Sequence, residues 1–341
     1  MGKTDLHELR KDPLLGRWVA VLNQSKTPSD YGLFSQDNSE KDCLFCAGRE
    51  KELPLEIMSV LNPNPDEPSK KWWTRVVPNL SPIFRVEGEL GRKGEGMYDR
   101  MNSIGASEII VESPYHSVRP EDIGLAQMIR VLMTYRDRMA DLEKDPRLRY
   151  TLIYKNSGIS AGAAYSHPIS HLASTPVIPK RVKEELDGAK QYFAYKERCI
   201  FCDLIREELR FGSRVIIETR DFVAFCPYAS KFPFESWIVP KRHNCAFQDI
   251  RTDEVEDMAL VLSSVLKKLR AIFDGVSFNY FIHSAPNRIP RKNHWHTLGE
   301  DFHWHLEIMP RLLRTSGFEW GSGFYISPTS PENAAKYLRE V

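Results

Sequence analysis

The sequence predicts an α+β fold of two tandem units, each an antiparallel sheet with flanking helices, and three observations carry that expectation. Two nearly identical tetrapeptides, Cys43-Leu44-Phe45-Cys46 and Cys199-Ile200-Phe201-Cys202, each open a stretch of similar content. After each come short runs of β-branched and aromatic residues, then one long amphipathic helix, and similarity repeated at that scale marks an internal duplication. Each stretch closes on a strand carrying histidines at alternate positions. Strand pairs around a single helix favour an antiparallel sheet, since a doubly wound one needs strands and helices in alternation.

The first unit is placed at residues 1–178. Residues 74–77 and 107–111 read as strands from their β-branched content. Residues 120–144 read as a helix, because Leu125, Met128, Ile129, Leu132, Tyr135 and Met139 recur at three- and four-residue spacing. A strand at 150–154 and the cluster at 167–171 close the unit. The second unit, 179–341, repeats the order: a hairpin at 214–217 and 221–225, a neighbour at 235–239, and closing strands at 278–282 and 303–308. Its helix, 252–273, carries Val255, Met258, Ala259, Leu262, Leu266 and Leu269 on one face. A helix through Val182, Leu186 and Phe193 bridges the join, and Ser330 with Pro331 starts a final helix at 333–341. Polar segments at 35–42 and 62–71 read as surface loops. With 341 residues, each unit is long enough to bury a core of its own.

A net charge of +1 from 47 basic and 46 acidic residues argues against nucleic-acid and membrane partners, so any phosphate must be recognised locally. The start lacks the apolar core of a secretory signal, and Met1-Gly2 lacks the serine or threonine of a myristoylation site. No apolar run is long enough for a transmembrane helix. A soluble, cytoplasmic protein is expected, and in that reducing compartment paired cysteines point to metal rather than disulfides.

A CxxC turn supplies two thiolates, and a tetrahedral zinc then needs two further nitrogen or sulfur ligands. His116 follows the strand at 107–111 and His167 the strand at 150–154; His243 follows the strand at 235–239 and His303 begins the closing strand. Parallel placement predicts two structural Zn²⁺ sites, Cys43, Cys46, His116, His167 and Cys199, Cys202, His243, His303. Four protein ligands would leave neither an open position for chemistry. His294 and His296 are an alternative source of ligands. Their loop has no counterpart in the first unit, so solvated or substrate-facing roles are expected.

Alternate residues on a strand share a face, so His167-Pro168-Ile169-Ser170-His171 and His303-Trp304-His305 each aim side chains at one spot. That is the layout of a histidine-triad site, where an imidazole attacks a nucleotide α-phosphate. Tyr154-Lys155-Asn156-Ser157-Gly158, Ala161-Gly162-Ala163-Ala164 and Ser166-His167-Pro168 strongly resemble the segment entering the active site of galactose-1-phosphate uridylyltransferases and ADP-glucose phosphorylases. The likeness extends to Arg17-Trp18-Val19, Pro28-Ser29-Asp30, Asn79-Leu80, both CxxC pairs, Glu112-Ser113-Pro114 and the C-terminal Gly317-Phe318-Glu319-Trp320-Gly321-Ser322-Gly323. The resemblance implies tandem histidine-triad-like units, a homodimer whose sites combine both subunits, and nucleotidyl transfer between a nucleotide sugar and a phosphate-type acceptor. By position, Asn79 and Asn156 match nucleotide contacts, and Ser166 with Gly158 and Gly162 lies in the phosphate loop. Phe318 and Gly321 fall in a segment that could enclose substrate.

One position departs from the pattern. Where the family carries its nucleophilic histidine the chain has Ile169, and His171 stands at the position of the family's glutamine. Isoleucine has no lone pair and forms no phosphoramidate. Three readings follow: direct displacement with His171 as base or phosphate ligand, His171 as a displaced nucleophile, or a nucleotide binder without turnover. His305, which holds in the second unit the place of Ile169 in the first, is expected to be structural, with Glu307 beside it on the same face.

Overall fold

The computed structural model describes residues 7–11, 18–21, 40, 42–66, 70–116, 118–290 and 295–341. His294 and Pro28-Ser29-Asp30 lie outside them. The strands in chain order are β1 (Glu8–Lys11), β2 (Trp18–Val21), β3 (Met58–Leu61), β4 (Trp72–Pro78), β5 (Lys93–Glu95), β6 (Tyr98–Asn102), β7 (Ala106–Val111), β8 (Tyr150–Ser157), β9 (Ile169–Thr175), β10 (Val215–Glu218), β11 (Phe222–Phe225), β12 (Ser236–Pro240), β13 (Phe278–His283) and β14 (His305–Pro310). The helices are α1 (Leu125–Leu142), α2 (Lys180–Lys196), α3 (Ile200–Phe211), α4 (Thr252–Ile272), α5 (Leu298–Asp301), α6 (Gly317–Ser322) and α7 (Pro331–Glu340).

Ten strands form one antiparallel sheet in the order β10-β11-β12-β14-β13-β8-β9-β7-β4-β3. Counting only each unit's five strands in this sheet, in chain order, they come from either edge inward as first, second, third, fifth and fourth, so both units share one topology. They join where β8 pairs with β13, from Phe278 opposite Ser157 to Ile282 opposite Ile153. That pairing satisfies two edges that would otherwise be exposed. It also merges the expected cores: one apolar cluster takes Leu132, Tyr135 and Met139 from α1 together with Leu262, Val265 and Leu266 from α4. A four-stranded sheet, β2-β1-β6-β5, was not anticipated from the sequence; its hairpin β5–β6 is inserted between β4 and β7.

Other differences are local. Helix α1 begins at Leu125, later than its apolar spacing suggested, because residues 120–124 make a turn that ends in the N-cap Gly124. The second CxxC starts a helix, with Cys199 as the N-cap of α3, whereas the first lies in a turn. The tail is as expected: Ser330 accepts the Asn333 amide and Pro331 opens α7. Among the described residues no helix is long and apolar enough to cross a membrane.

Both α1 and α4 cover one face of the sheet. On the other face a row of directly paired residues runs His171, Tyr154, Phe281, Glu307, Trp237 across β9, β8, β13, β14 and β12. Next to it, Asn156 pairs with Asn279 and Asn279 with Met309.

Candidate metal centres and substrate face

The ligand atoms of Cys43, Cys46, His116 and His167 all lie within 4.8 Å of one another, as do those of Cys199, Cys202, His243 and His303. In the first group the Sγ–Nδ1 separations are 3.6 Å for Cys43–His167, 3.4 Å for Cys46–His116 and 3.7 Å for Cys46–His167. In the second they are 3.4 Å for Cys202–His243 and 3.7 Å for Cys202–His303. Zinc–sulfur and zinc–nitrogen bonds at a tetrahedral angle require an S···N edge of about 3.6 Å. Each imidazole is also held by its far nitrogen. His167 Nε2 lies 2.8 Å from the Ser113 carbonyl and His303 Nε2 2.8 Å from the Pro240 carbonyl. His243 Nε2 meets the Gly299 carbonyl at 2.9 Å and His116 Nε2 meets Ser166 Oγ at 2.9 Å. The three carbonyl contacts place the proton of His167, His303 and His243 on Nε2 and leave Nδ1 to ligate, and the Ser166 hydroxyl can accept from His116 in the same way. Burial also pushes His167 down to about 4, so it is neutral, as a ligand must be. Both groups therefore fit a tetrahedral metal. His296 belongs to neither.

A third cluster, Glu185, His283 and His305, also has its ligand atoms within 4.8 Å of one another. His305 Nε2 lies 3.3 Å from Glu185 and 3.7 Å from Glu307, and Arg181 reaches Glu307 at 3.1 Å. His305 was expected to be structural with Glu307 at its side, and it is fully buried there, with Trp237 stacked on it at 4.9 Å. Glu185 and His283 went unremarked in the sequence, because a lone glutamate in a charged helix and a histidine ending a strand carry no spacing signal.

The first unit keeps an opening where the second is filled. A cavity of about 520 Å³ is lined by Asn156, Gly158, Ser166, His167 and Ile169, so the structure brings these predicted residues together. Gly158 is required there: its φ is +81°, and a Cβ would lie 2.2 Å from Ser277 Oγ. Gly162, at φ +82°, ends the same turn but faces a second cavity, with Trp320. Asn79 lies at the end of β4, its Oδ1 accepting the Ser81 amide, and does not line the first cavity. Phe318 and Gly321 sit on the exposed α6 and do not line this cavity.

Ile169 is 5% exposed and packs with Val77, Ile109, Val111 and Phe45. His171, two residues along the same face, stacks on Tyr154 with ring centres 5.1 Å apart, and its Nδ1 has no hydrogen-bond partner among the described residues. Burial, with the nearby Lys155 charge, pushes it down to about 4, so it is neutral near pH 7.

Beneath Ile169 lies a buried network that the sequence did not single out. Lys155 Nζ binds the Glu112 carboxylate and donates to the Ile169 carbonyl at 3.1 Å. Tyr135 OH donates to Glu112 at 2.6 Å and lies 2.8 Å from Tyr280 OH, while Ser170 also donates to Glu112. Burial alone would raise the Glu112 carboxyl, but the Lys155 ammonium and these donors hold it below the usual carboxylate range. Lys155, buried on a strand between the exposed-face residues Tyr154 and Asn156, was the one available sign.

Comparison with known proteins agrees with this geometry. Residues 185–330 match the C-terminal domain of galactose-1-phosphate uridyl transferase. An ADP-glucose phosphorylase of Arabidopsis thaliana is 34% identical over 98% of this chain and 93% of its own. A galactose-1-phosphate uridylyltransferase of Thermotoga maritima is 28% identical over 98% of both. Among solved structures, the Arabidopsis thaliana ADP-glucose phosphorylase with bound ADP-glucose superposes with a TM-score of 0.77 at 32% identity, covering 98% of this chain and 99% of the other.

Proposed function

The chain belongs to the galactose-1-phosphate uridylyltransferase family, and on that premise we propose that it transfers the nucleotidyl group of a nucleotide sugar by direct displacement, without a nucleotidyl-histidine at residue 169. An oxygen of the acceptor phosphate attacks the α-phosphorus, the α–β bridging P–O bond breaks, and the sugar 1-phosphate leaves with the bond's electron pair. The observation that carries this reading is the state of β9: the cavity and its loop are present, but the residue facing them at 169 is an alkyl group held in apolar packing.

His171 enters as a neutral imidazole, which supports hydrogen bonding to a phosphate oxygen or a base role once bound anions raise its pKa. As a displaced nucleophile it would stand one strand repeat, about 7 Å, from the family position, far beyond the roughly 3 to 3.5 Å of in-line approach. Ser166 lines the cavity with its Oγ 2.9 Å from His116 Nε2 and supplies a hydroxyl to the phosphate loop. Asn156 and the Gly158–Gly162 turn supply the rest of the phosphate loop. Asn79, Phe318 and Gly321 are assigned to substrate enclosed between subunits of a homodimer, a reading supported by the 59% and 79% exposure of Phe318 and Trp320. Zinc in the two four-ligand groups would fix the loops before β9 and β14 and supply no open coordination position. The six cysteines are all unpaired, which supports a cytoplasmic setting.

The second reading, a nucleotide binder without turnover, draws on the same closed packing of Ile169. Product analysis after incubation with ADP-glucose or UDP-glucose and inorganic phosphate separates the two, with intact-mass measurement alongside. Sugar 1-phosphate and nucleoside diphosphate with no protein adduct are expected. Binding without product would leave the second reading, and an adduct mapped to His171 would replace direct displacement with the two-step cycle.

A further inference from the structure

A second cavity, of about 720 Å³, lies on the other side of the phosphate loop, between residues 159–162 and the segment after β14. Its cationic side chains are Arg311 and Arg314, and among the described residues neither is within ion-pair distance of a carboxylate. Arg311 is half-buried and lies over the Phe232 ring at 5.2 Å. A half-buried guanidinium without a counter-ion recovers its desolvation cost only in part from a ring contact and a neutral hydrogen-bond acceptor, which is the condition of a site built for an anion that arrives later.

The cavity is fixed by its own framework. Arg311 Nε donates to Asn279 Oδ1, and Asn279 Nδ2 donates to Asn156 Oδ1 at 2.7 Å and to the Ala161 carbonyl at 2.9 Å. The Arg311 amide bonds the Ser277 carbonyl at 2.8 Å, and Gly158 packs against the same serine. Asn279 therefore holds the guanidinium, the turn and Asn156 in one arrangement, with the terminal nitrogens of Arg311 left to bind. Continuing the β8–β9 register sets Asn156 opposite Ile169, and Asn279 is one strand further, about 10 Å from β9 by strand spacing. That spacing is between backbones, so the acceptor oxygen reaches the α-phosphorus only from a phosphate held on the Asn156 side of the guanidinium.

We propose that Arg311 and Arg314 form a subsite for the phosphate of the second substrate, entered beside the loop that holds the nucleotide. The assignment rests on the transfer reading above for the substrate's role, though not for the existence of the anion site. Paired guanidiniums suit a phosphate dianion, since each can offer two parallel N–H groups to two of its oxygens. The anion is either inorganic phosphate or a sugar-borne phosphate monoester; Trp320, on the cavity wall, offers a ring face that only the sugar would use.

Calorimetric titration of the full metal-bearing protein with inorganic phosphate and with glucose 1-phosphate tests this, in wild type, Arg311→Gln and Arg314→Gln. Each substitution is expected to weaken phosphate binding on the order of ten-fold, while the affinity for ADP or UDP is unchanged. Arg314 is exposed, so its variant reports even where Arg311→Gln folds poorly. No phosphate binding by wild type, or unchanged affinity in Arg314→Gln together with a folded Arg311→Gln, would overturn the subsite. Equal affinity for the two anions supports it with inorganic phosphate as the ligand. Tighter binding of glucose 1-phosphate, lost in Trp320→Ala, supports it with a sugar phosphate. ADP- and UDP-glucose are titrated separately: if neither binds while the arginine dependence holds, the transfer reading fails and the anion site stands.

Discussion

In the first unit the residue two places beyond the last metal-frame histidine is Ile169; in the second it is His305. Two places further stand His171 and Glu307. Around these positions the frames are alike, with a CxxC pair, a histidine after the third strand and a histidine before the fifth, each imidazole presenting Nδ1 inward. The strands behind them differ. Ile169 borders an open cavity, while His305 is sealed under Trp237 and the Glu185 carboxylate of α2. Duplication thus kept a scaffold twice and left the adjacent strand free to diverge, one copy toward an open cavity and the other toward a closed ionic cluster.

The comparison breaks first at the frames. Cys43→Ser and Cys199→Ser should each lose the fold, because the free energy of a structural metal is part of the folding free energy, on the order of 10 kcal/mol. Elemental analysis of protein purified without added metal should give close to two zinc ions per chain, and chelator should lower the melting temperature. Full stability in chelator with no metal would remove the frames from the account. If only Cys199→Ser unfolds the chain, the second frame is the scaffold and the first an accessory, a difference α3 would explain because it starts at Cys199.

Next in size is His305→Ile, which gives the second unit the residue of the first. The substitution leaves the buried Glu307 and the half-buried Glu185 without their imidazole, at a cost of about 3 to 5 kcal/mol in denaturant unfolding. An effect below about 1 kcal/mol would mean that Arg181 and His283 balance the cluster alone.

The His171 effect is smaller and depends on pH. Its pKa lies near 4 when folded, below the ordinary 6.5, so its contribution is fully present above pH 6.5 and declines as pH falls toward 4. Between neutral pH and about pH 5 the unfolded imidazole takes a proton that the folded one refuses, at a cost of about 2 kcal/mol. His171→Gln should flatten that part of the stability profile. An unchanged slope would assign the acid sensitivity to other groups, His167 among them.

Much of this was legible in the chain. The repeated C-(L/I)-F-C tetrapeptides and the placement of His116, His167, His243 and His303 announced both frames, because ligand chemistry tolerates few residue types and spacings. Helices α1 and α4 were visible as apolar stripes. The joining of the two sheets was not, since β8 and β13 read as ordinary strands and nothing local to either names its partner. Glu112, Tyr135, Ser170 and Tyr280 were hidden for the same reason: they meet beneath Ile169 from four separate elements, and each alone looks like an unremarkable core or turn residue. Arg311 and Arg314 were equally silent, as what sets them apart is that no carboxylate among the described residues lies within ion-pair distance of either.

A single substitution restores the imidazole to the first unit. Ile169→His trades buried alkyl surface among Val77, Ile109 and Val111 for a smaller polar ring, a loss of about 1 to 2 kcal/mol that the fold should survive. Its Nε2 would then face the cavity lined by Asn156 and Ser166. With His171→Gln made alongside, incubation with ADP-glucose or UDP-glucose should add one nucleotidyl mass to the protein if the Gly158–Gly162 turn orients the α-phosphate as proposed, since the variant supplies the nitrogen that attacks it. A folded double variant that binds the nucleotide sugar yet gains no mass would show that the loop no longer sets phosphorus in line with β9. The divergence between the units would then extend beyond one residue to the whole phosphate cradle.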